Sequence, residues 1–525
     1  MKVDLKKVLL LPVLAAVLVA AACKAEPLAG RDETPDVKPP GTPSDTVAGD
    51  AAVKRLEELL AVVNSGDPAA MKAYLEANSV DFTGQAWRQD LLPFVLDLHR
   101  TSLGFDLMRV EKIGAQPFQP QLTGYPVGIL RNKLTEEERT LVVVVERQTP
   151  HRITSLPALH PALNAPLVPP APLVPLSEQE GLQKIGSYLT RLGDADIFSG
   201  VVVIARGGQP VFSQAYGFAD REKKIPNALS TPFLLGSINK LFTGLAIGQL
   251  VERRKLSYDD PLSKFLPDYP DPESAKRIKI KHLLSHTSGL PDAAQDQAYY
   301  DALDRLVTVQ AMIDVAERKP PTFEPGTRWS YSNLGFELLG RVVEIAAGED
   351  YYEYMMKHVF APAGMASASF PLLPRSGVAT VPMAYPYELE FNGERLLSVN
   401  KLGADFRRGG PSGSGIATAP DLIALANALQ SGRVVNPETF WLHSSAKSEL
   451  ASPNYGYGFA VGMRRVNNRL LVGHGGAAFG QCTEFGALSG TPYTMVVLSN
   501  LTIGTCKSVA GQIMRVLAAS QASAG

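Results

Sequence analysis

Two proline-rich stretches divide this chain and fix how many compact units it can form. Residues 24–50 carry five prolines, and residues 150–175 carry eight. Proline has no backbone N–H and a fixed φ, so such stretches form neither helix interiors nor central strands. We therefore predict a tether over 23–50, a small domain over 51–149, a stiff linker over 150–176 and a large domain over 177–520.

The first 22 residues have the pattern of a signal peptide for export. Lys2, Lys6 and Lys7 precede an uncharged apolar stretch, and small residues stand directly before Cys23. The stretch from Val8 to Ala22 is shorter than the roughly 20 residues that span a bilayer. Small residues followed by cysteine resemble a bacterial lipoprotein cleavage box with Cys23 as the lipidated residue. The resemblance implies the periplasmic face of the cell envelope and an outer-membrane anchor; a secreted protein and an uncleaved anchor are the alternatives.

Composition excludes several classes of protein. Lys plus Arg is 51 against 52 for Asp plus Glu, which leaves no basic excess for a nucleic-acid partner. The eight histidines show no HxH or HExxH pattern and the three cysteines no CxxC, so we predict no metal and no cofactor. In an oxidising compartment Cys482 and Cys506 could pair, and two separate buried thiols are equally open.

Hydrophobic patterns outline both domains. In the small domain, helical spacing over Ala51–Val63, a helix start at Asp67-Pro68 and a third helix over 88–99 precede an apolar run, Thr140–Val145. Helices followed by a strand predict a small α+β domain.

The large domain begins with a capping box, Ser177 to Glu180, and a helix that ends at Gly193. Two strand patterns then flank Gly207-Gly208, which predicts a hairpin.

The first chemical element is Ser237-Ile238-Asn239-Lys240, at the start of an apolar helix. Residues three apart share a helix face, so Lys240 can lie against the Ser237 hydroxyl. A serine needs a base to become a nucleophile, and burial makes lysine a base because desolvation disfavours its charged form. Ser398–Lys401 and Ser444–Lys447 have the same spacing but open no long apolar helix.

Two further elements support this one. Tyr331-Ser332-Asn333 is the only Tyr-x-Asn among 17 tyrosines, and it stands just before a helical pattern. A phenol beside a cation can shuttle protons, although a structural tyrosine is the alternative. His474-Gly475-Gly476-Ala477 lies between two strand patterns, where glycines allow a ligand close to the backbone; a tight turn with a surface histidine is the alternative.

In this order, Ser-x-x-Lys, Tyr-x-Asn and His-x-Gly resemble the penicillin-recognising serine hydrolases. The match is to the class C β-lactamase-like branch, which includes esterases, D-amino-acid peptidases and D-Ala-D-Ala carboxypeptidases. The segments 259–267, 282–290, 325–327 and 414–418 are also typical of the branch. The resemblance covers about residues 180–518 and implies an α/β fold in which helices flank an antiparallel sheet, with a helical subdomain.

The resemblance also implies a role for each residue. Ser237 would be the acylated nucleophile, and Lys240 and Tyr331 the proton-transfer pair. Asn333 would bind the substrate amide or a catalytic neighbour, and the N–H groups of Ser237 and Ala477 would form an oxyanion hole. His474, followed by Gly475 and Gly476, takes the place of the lysine in Lys-Thr-Gly, and His286 is interpreted as structural.

The histidine is a departure that bears on the substrate. A lysine there is a fixed cation that attracts a carboxylate, whereas His474 is largely neutral at pH 7. The prediction is therefore an exported serine hydrolase for an ester or a peptide-like amide. The alternatives are a class C β-lactamase and a non-catalytic envelope lipoprotein that binds peptides. Ser414 lies between glycines, but Ser412 breaks the Gly-x-Ser-x-Gly frame of Ser-His-Asp hydrolases.

Overall fold

A computed structural model describes the chain over residues 46–80, 91–100, 102–113, 125–133, 138–156, 176–292, 299, 301–315, 320–374, 376–392, 396–403, 407–446, 455–466, 469–501 and 505–521. The chain divides into two units, residues 1–171 and 172–525. The predicted signal peptide, Cys23, residues 23–45 of the predicted tether and residues 157–175 of the predicted linker lie outside the described residues. Across the described ranges, no helix combines the length and hydropathy needed to cross a membrane.

The first unit consists of helices followed by short strands, in the order that the sequence predicts. Its elements are α1 Thr46–Ser65, α2 Pro68–Asn78, α3 Leu91–Arg100, β1 Phe105–Lys112, β2 Pro126–Asn132, β3 Glu138–Leu141, β4 Val144–Val145 and β5 Ile153–Ser155. Asp67 caps α2 by accepting the Ala69 N–H at 2.9 Å, and Pro68 takes the first helical position.

Two elements of this unit extend beyond its predicted borders at residues 51 and 149. Helix α1 begins at Thr46, inside the predicted tether, because no proline lies between Pro43 and Pro68 to prevent a helix. Strand β5 lies beyond the predicted border at 149, and it pairs with β4 between the prolines at 150 and 157. The tether over 23–45 and the linker over 157–175 stay predictions, because these residues lie outside the described ranges.

The predicted single strand Thr140–Val145 is also wrong, because the run changes partner. Strand β3 pairs with β2, whereas β4 pairs with β5. Val142 and Val143, which join them, are buried all the same. An apolar run predicts burial, and it does not predict which strand lies beside it.

The second unit holds the larger core. Its helices are α4 Glu178–Asp194, α5 Asn239–Glu252, α6 Pro272–Arg277, α7 Ile280–Leu284, α8 Val309–Val315, α9 Asn333–Ala347, α10 Tyr351–Tyr354, α11 Ala361–Ala363, α12 Ala419–Gln430, α13 Pro437–His443 and α14 Thr505–Gln521. Its strands are β6 Gly200–Arg206, β7 Gln209–Tyr216, β8 Phe218–Asp220, β9 Ile225–Pro226, β10 Phe233–Leu234, β11 Tyr387–Phe391, β12 Leu396–Asn400, β13 Ile416–Ala417, β14 Tyr455–Tyr457, β15 Gly462–Val466, β16 Arg469–Ala478, β17 Gln481–Leu488 and β18 Tyr493–Ser499.

A seven-stranded antiparallel sheet organises this unit. The strand order is β14-β15-β16-β17-β18-β6-β7, so the first hairpin of the domain pairs with its last strand. Helices α4 and α14 pack together beside β7, β17 and β18, and α12 packs on β6 and β18. Every residue of β18 is buried, as expected of a strand covered on both faces. The predicted α/β fold, with helices flanking an antiparallel sheet, is confirmed.

Local predictions at the start of this unit are also confirmed. The Ser177 hydroxyl accepts the Glu180 N–H at 3.2 Å while the Glu180 carboxylate accepts the Ser177 N–H at 2.7 Å, which is the capping box of α4. Strands β6 and β7 form the predicted hairpin, and Gly207 and Gly208 both have positive φ.

A disulfide joins the sheet to the last helix. Cys482 on β17 is bonded to Cys506 on α14, 24 residues further along the chain. Cys482 is the register partner of Ala477 on β16. The structure therefore shows the paired form of the two cysteines rather than two separate thiols.

Candidate active site

Ser237 lies in a single 3-10 turn, Gly236–Ile238, that leads directly into α5. Gly236 has a φ of +52°, and a Cβ on it would lie 2.7 Å from the Ala477 nitrogen. Only glycine fits such a position, because both the conformation and the space exclude a side chain. The turn therefore brings the Ser237 backbone and strand β16 into contact.

Lys240 is fully buried one turn further on. Its Nζ lies 3.2 Å from Ser237 Oγ, 2.6 Å from Asn333 Oδ1 and 2.5 Å from the Ser412 carbonyl oxygen. Burial lowers the pKa of the Lys240 ammonium to about 7, against the raising effect of the Asp292 and Glu337 carboxylates. Near neutral pH a large fraction of this lysine is therefore the free amine.

The three neighbours of Lys240 differ in whether they can donate a hydrogen bond to it. The amide oxygen of Asn333 and the carbonyl of Ser412 can only accept hydrogen bonds, so a neutral amine uses both of its N–H groups on them. Its lone pair is then left for the third neighbour, the Ser237 hydroxyl. This arrangement presents a base directly to the serine proton.

Tyr331 contacts the same oxygen from the other side. Its phenol donates to Ser237 Oγ at 2.7 Å, and Lys240 Nζ lies 4.7 Å from the centre of its ring. Tyr331 precedes α9, whose N-cap Ser332 accepts the Gly335 N–H at 3.2 Å. The loop before a capped helix, predicted from the sequence, thus places the phenol on the serine.

Asn333 is oriented by a carboxylate that the sequence did not single out. Its Nδ2 donates to both oxygens of Asp292 at 3.1 Å. A carboxylate only accepts, so the amide nitrogen must face Asp292 and the amide oxygen must face Lys240. Asn333 therefore bonds Lys240, and both of its predicted roles, in catalysis and in binding a substrate amide, stay predictions.

His474 is buried and satisfied within the protein. Its Nδ1 lies 2.6 Å from the Gly475 carbonyl and must carry the proton, so Nε2 accepts from the Tyr457 hydroxyl at 2.8 Å. Burial lowers the pKa of the His474 imidazole to about 4. His474 is therefore neutral at pH 7, and it is neither a fixed cation nor the surface histidine of the alternative interpretation.

The two glycines after His474 make room for neighbouring protein groups, and the prediction that they admit a ligand stays a prediction. They lie inside β16, in register with β17, and not in a turn. A Cβ on Gly476 would lie 2.0 Å from the Leu235 carbonyl and 2.9 Å from the Ser237 nitrogen. A Cβ on Gly475 would meet the Glu484 carboxylate at 3.0 Å. The close approach of β16 to the serine turn brings the nitrogens of Ser237 and Ala477 to one edge of the site.

His286 packs under Tyr331. The two ring centres are 4.3 Å apart, and His286 Nδ1 accepts the Ser332 N–H at 3.1 Å. Burial holds the pKa of the His286 imidazole well below its usual value, so the ring is neutral. This contact supports the structural interpretation of His286 and shows that it fixes the position of Tyr331.

Sequence reasoning missed three contributors to this site: Asp292, Ser412 and Glu337. Glu337 is the one that a sequence signal could have revealed. It stands four residues after Asn333, on the same helix face, and interrupts the apolar run Leu334–Gly340. Among the described residues, no three His, Cys, Asp or Glu side chains lie together so that they could hold a metal ion.

The sheet with its flanking helices and the Ser-Lys-Tyr cluster at its edge are the architecture of the β-lactamase and transpeptidase-like serine hydrolases. The chain belongs to the Beta-lactamase family, whose family model matches residues 185–516. The crystal structure of a penicillin-binding protein from Bacillus halodurans is similar at 28% identity and a TM-score of 0.54, covering 65% of this chain and 98% of that one.

Curated relatives match parts of the same domain. The D-aminopeptidase of Brucella anthropi is 29% identical over 54% of this chain and 52% of its own length. The teichoic acid D-alanine hydrolase of Staphylococcus aureus is 30% identical over 37% of this chain and 45% of its own. The matches span between about a third and a half of the curated relatives' own lengths.

Proposed function

We propose that this protein is a serine hydrolase that cleaves an ester or a peptide-like amide through an acyl-enzyme on Ser237. One observation carries the proposal: Ser237 Oγ lies 3.2 Å from a buried lysine amine and 2.7 Å from a tyrosine hydroxyl. A nucleophile within hydrogen-bond reach of a base whose pKa lies near 7 is the arrangement that acyl transfer requires.

Each step follows from these positions. Lys240 accepts the Ser237 proton as Oγ attacks the substrate carbonyl carbon. The carbonyl oxygen becomes an anion against the N–H groups of Ser237 and Ala477. The proton then passes through Tyr331 to the departing alcohol or amine. Water repeats the sequence on the acyl-enzyme, and its proton returns through the same pair to Ser237.

The charges around the site favour an acyl donor that carries no carboxylate. His474, at the position of the lysine in Lys-Thr-Gly, is neutral, and Asp292 lies beside Asn333. A substrate carboxylate would meet no fixed cation at His474 and would be repelled by Asp292. Relatives named D-aminopeptidase and teichoic acid D-alanine hydrolase support amides and esters of this kind. A class C β-lactamase activity is the second candidate, and these charges disfavour it.

Covalent labelling tests the proposal. We expect a fluorophosphonate probe to add one label to the purified protein by intact mass, and Ser237→Ala to remove it. The matched control is Ser398→Ala, an exposed serine in another Ser-x-x-Lys tetrad, which should label like the parent. The relative turnover of p-nitrophenyl butyrate, a D-alanyl anilide and nitrocefin then separates esterase, peptidase and β-lactamase.

The absence of labelling in the parent protein would contradict this function. The intact site geometry would then serve binding alone, as in the alternative of a non-catalytic envelope lipoprotein that holds peptides. Equal labelling of the Ser237→Ala variant would instead mean that another residue is the nucleophile.

A further inference from the structure

Glu337 is a buried acid next to the site, and acyl transfer as described does not use it. It lies on α9 one turn after Asn333, and only 8% of it is exposed. Buried carboxyl groups are rare unless something pairs with them, because an unpaired buried charge is costly. The contacts of Glu337 must therefore compensate for the cost of burying its carboxyl group.

A single peptide group links Glu337 to Lys240. Glu337 Oε1 accepts the Ser412 N–H at 3.3 Å, and the carbonyl of the same residue accepts from Lys240 Nζ at 2.5 Å. A carboxylate on the N–H side of a residue strengthens its carbonyl as an acceptor, because hydrogen bonds in a chain polarise one another. Negative charge on Glu337 therefore favours the ammonium form of Lys240.

Helix α5 holds the Ser412 loop in place independently of Glu337. The Asn239 side chain donates to the Gly410 carbonyl at 3.1 Å, and the Thr243 hydroxyl donates to the Pro411 carbonyl at 2.8 Å. Glu337 Oε2 has no hydrogen-bond partner within the described part of the chain. The carboxyl group is therefore not needed merely to shape the loop.

Few charges surround Glu337. Lys240 faces it from α5, and Tyr351 and Tyr352 face it from α10. Burial raises the pKa of both phenols, so they are neutral near pH 7. Asp292 acts on the same lysine from the far side of Asn333. Burial also raises the pKa of Glu337 to about 7, so the acid and the amine exchange protons in one pH range.

We propose that Glu337 is a positioning residue for acyl transfer, which sets the charge state of Lys240 through the Ser412 peptide without touching the substrate. As an anion it retains the ammonium form, and as a neutral acid it releases the free amine that accepts the Ser237 proton. The inference rests on the proposed function only for its effect on rate, since the link between the two side chains is structural.

The test is the pH profile of Glu337→Gln in the full chain. Glutamine keeps an oxygen for the Ser412 N–H and removes the charge. We expect the acidic limb of the fluorophosphonate labelling rate to move to lower pH by roughly 0.5–1 unit, because Lys240 loses a nearby anion. The control is Glu344→Gln on the same helix, whose carboxylate pairs with Arg341 at 2.8 Å and should leave the limb unchanged.

Two additions separate charge from packing. Glu337→Asp keeps the charge, so its acidic limb should stay nearer the parent than that of Glu337→Gln; equal shifts in both variants would overturn the proposal. NMR titration of ¹³C-labelled lysine measures the pKa of Lys240 directly and needs no turnover. The Lys240 signal is assigned by its absence in the Lys240→Met variant. If the parent protein does not label, the proposed function is refuted, and the titration still tests the role of Glu337. An unchanged pKa of Lys240 in Glu337→Gln would refute the proposal about Glu337.

Discussion

Tyr331 and Lys240 contact the same oxygen, and they differ in what each can do for it. Lys240 has two obligatory acceptors besides Ser237, so its amine is held in one orientation. Tyr331 is half-buried, so under the proposed function its phenol can pass a proton to the departing group, whereas Lys240 is fully buried. A lysine alone would therefore start acylation and be slow to finish it.

Replacing Tyr331 by phenylalanine tests this division of work. We expect kcat to fall about 100- to 10,000-fold, the usual contribution of a positioned proton-transfer group, with little change in folding. Steady-state hydrolysis of p-nitrophenyl butyrate gives kcat, and circular dichroism monitors the fold. The matched control is Tyr354→Phe, which removes another buried phenol, one that bonds Gln249 at 3.0 Å, and should stay within threefold of the parent. Equal losses in both variants would mean that the phenol matters only for packing.

At the scale of elements, the sequence predicted the three motifs because each is local. Ser237 and Lys240 share a helix turn, Tyr331 precedes a capped helix, and the glycines after His474 are adjacent in the chain. What it could not predict is contact between distant segments. The role of Gly476 depends on the Leu235 carbonyl, some 240 positions away, and no spacing rule contains that distance.

Glu337 and Ser412 show the same limit. The helix pattern put Glu337 on the face of Asn333, but its link to Lys240 passes through a loop whose course the sequence does not reveal. The single strand predicted over Thr140–Val145 was wrong for the same reason. Composition indicates that these residues are buried, but it does not indicate which strands they pair with. Local geometry was therefore predictable, and long-range partners were not.

The disulfide ties α14 to the strand beside the candidate oxyanion site. Removing it with Cys482→Ala and Cys506→Ala together should lower the free energy of unfolding by about 3 kcal/mol, the loop-closure value for a separation of 24 residues. Denaturant unfolding measures this, with and without a reductant. Reductant should destabilise the parent and leave the double variant unchanged; a parent that is insensitive to reductant would contradict the prediction.

At the scale of the whole molecule, buried histidines and a buried carboxyl group have opposite effects on how the free energy of unfolding depends on pH. Burial lowers the pKa of His474 and of His282 to about 4, and it lowers that of His286 as well. The unfolded chain therefore binds more protons than the folded one between pH 4 and pH 6.5. Glu337, whose pKa is raised to about 7, has the opposite effect between pH 4.5 and pH 7.

Among the described residues, the pKa shifts of the three histidines outweigh those of the carboxyl groups that burial raises, Glu337, Glu388 and Glu484, so we predict that acid destabilises the protein. The shift of His474 alone corresponds to about 3 kcal/mol. We expect the free energy of unfolding to fall by a similar amount or more between pH 6.5 and pH 4, as measured by denaturant titration at each pH. Stability that rises on acidification would show that buried carboxyl groups dominate.

The strand order of the sheet has a consequence for how the protein is made. Strand β6 opens the domain, and its neighbour β18 ends at Ser499. A growing chain that has been synthesised as far as Tyr331 contains Ser237 and Lys240 but lacks β16 and β18. Such a chain does not carry the complete site. Under the proposed function, Ser237 therefore lacks its complete site until β16 and β18 have been made, and we expect fragments that end before β16 not to react with an acylating probe.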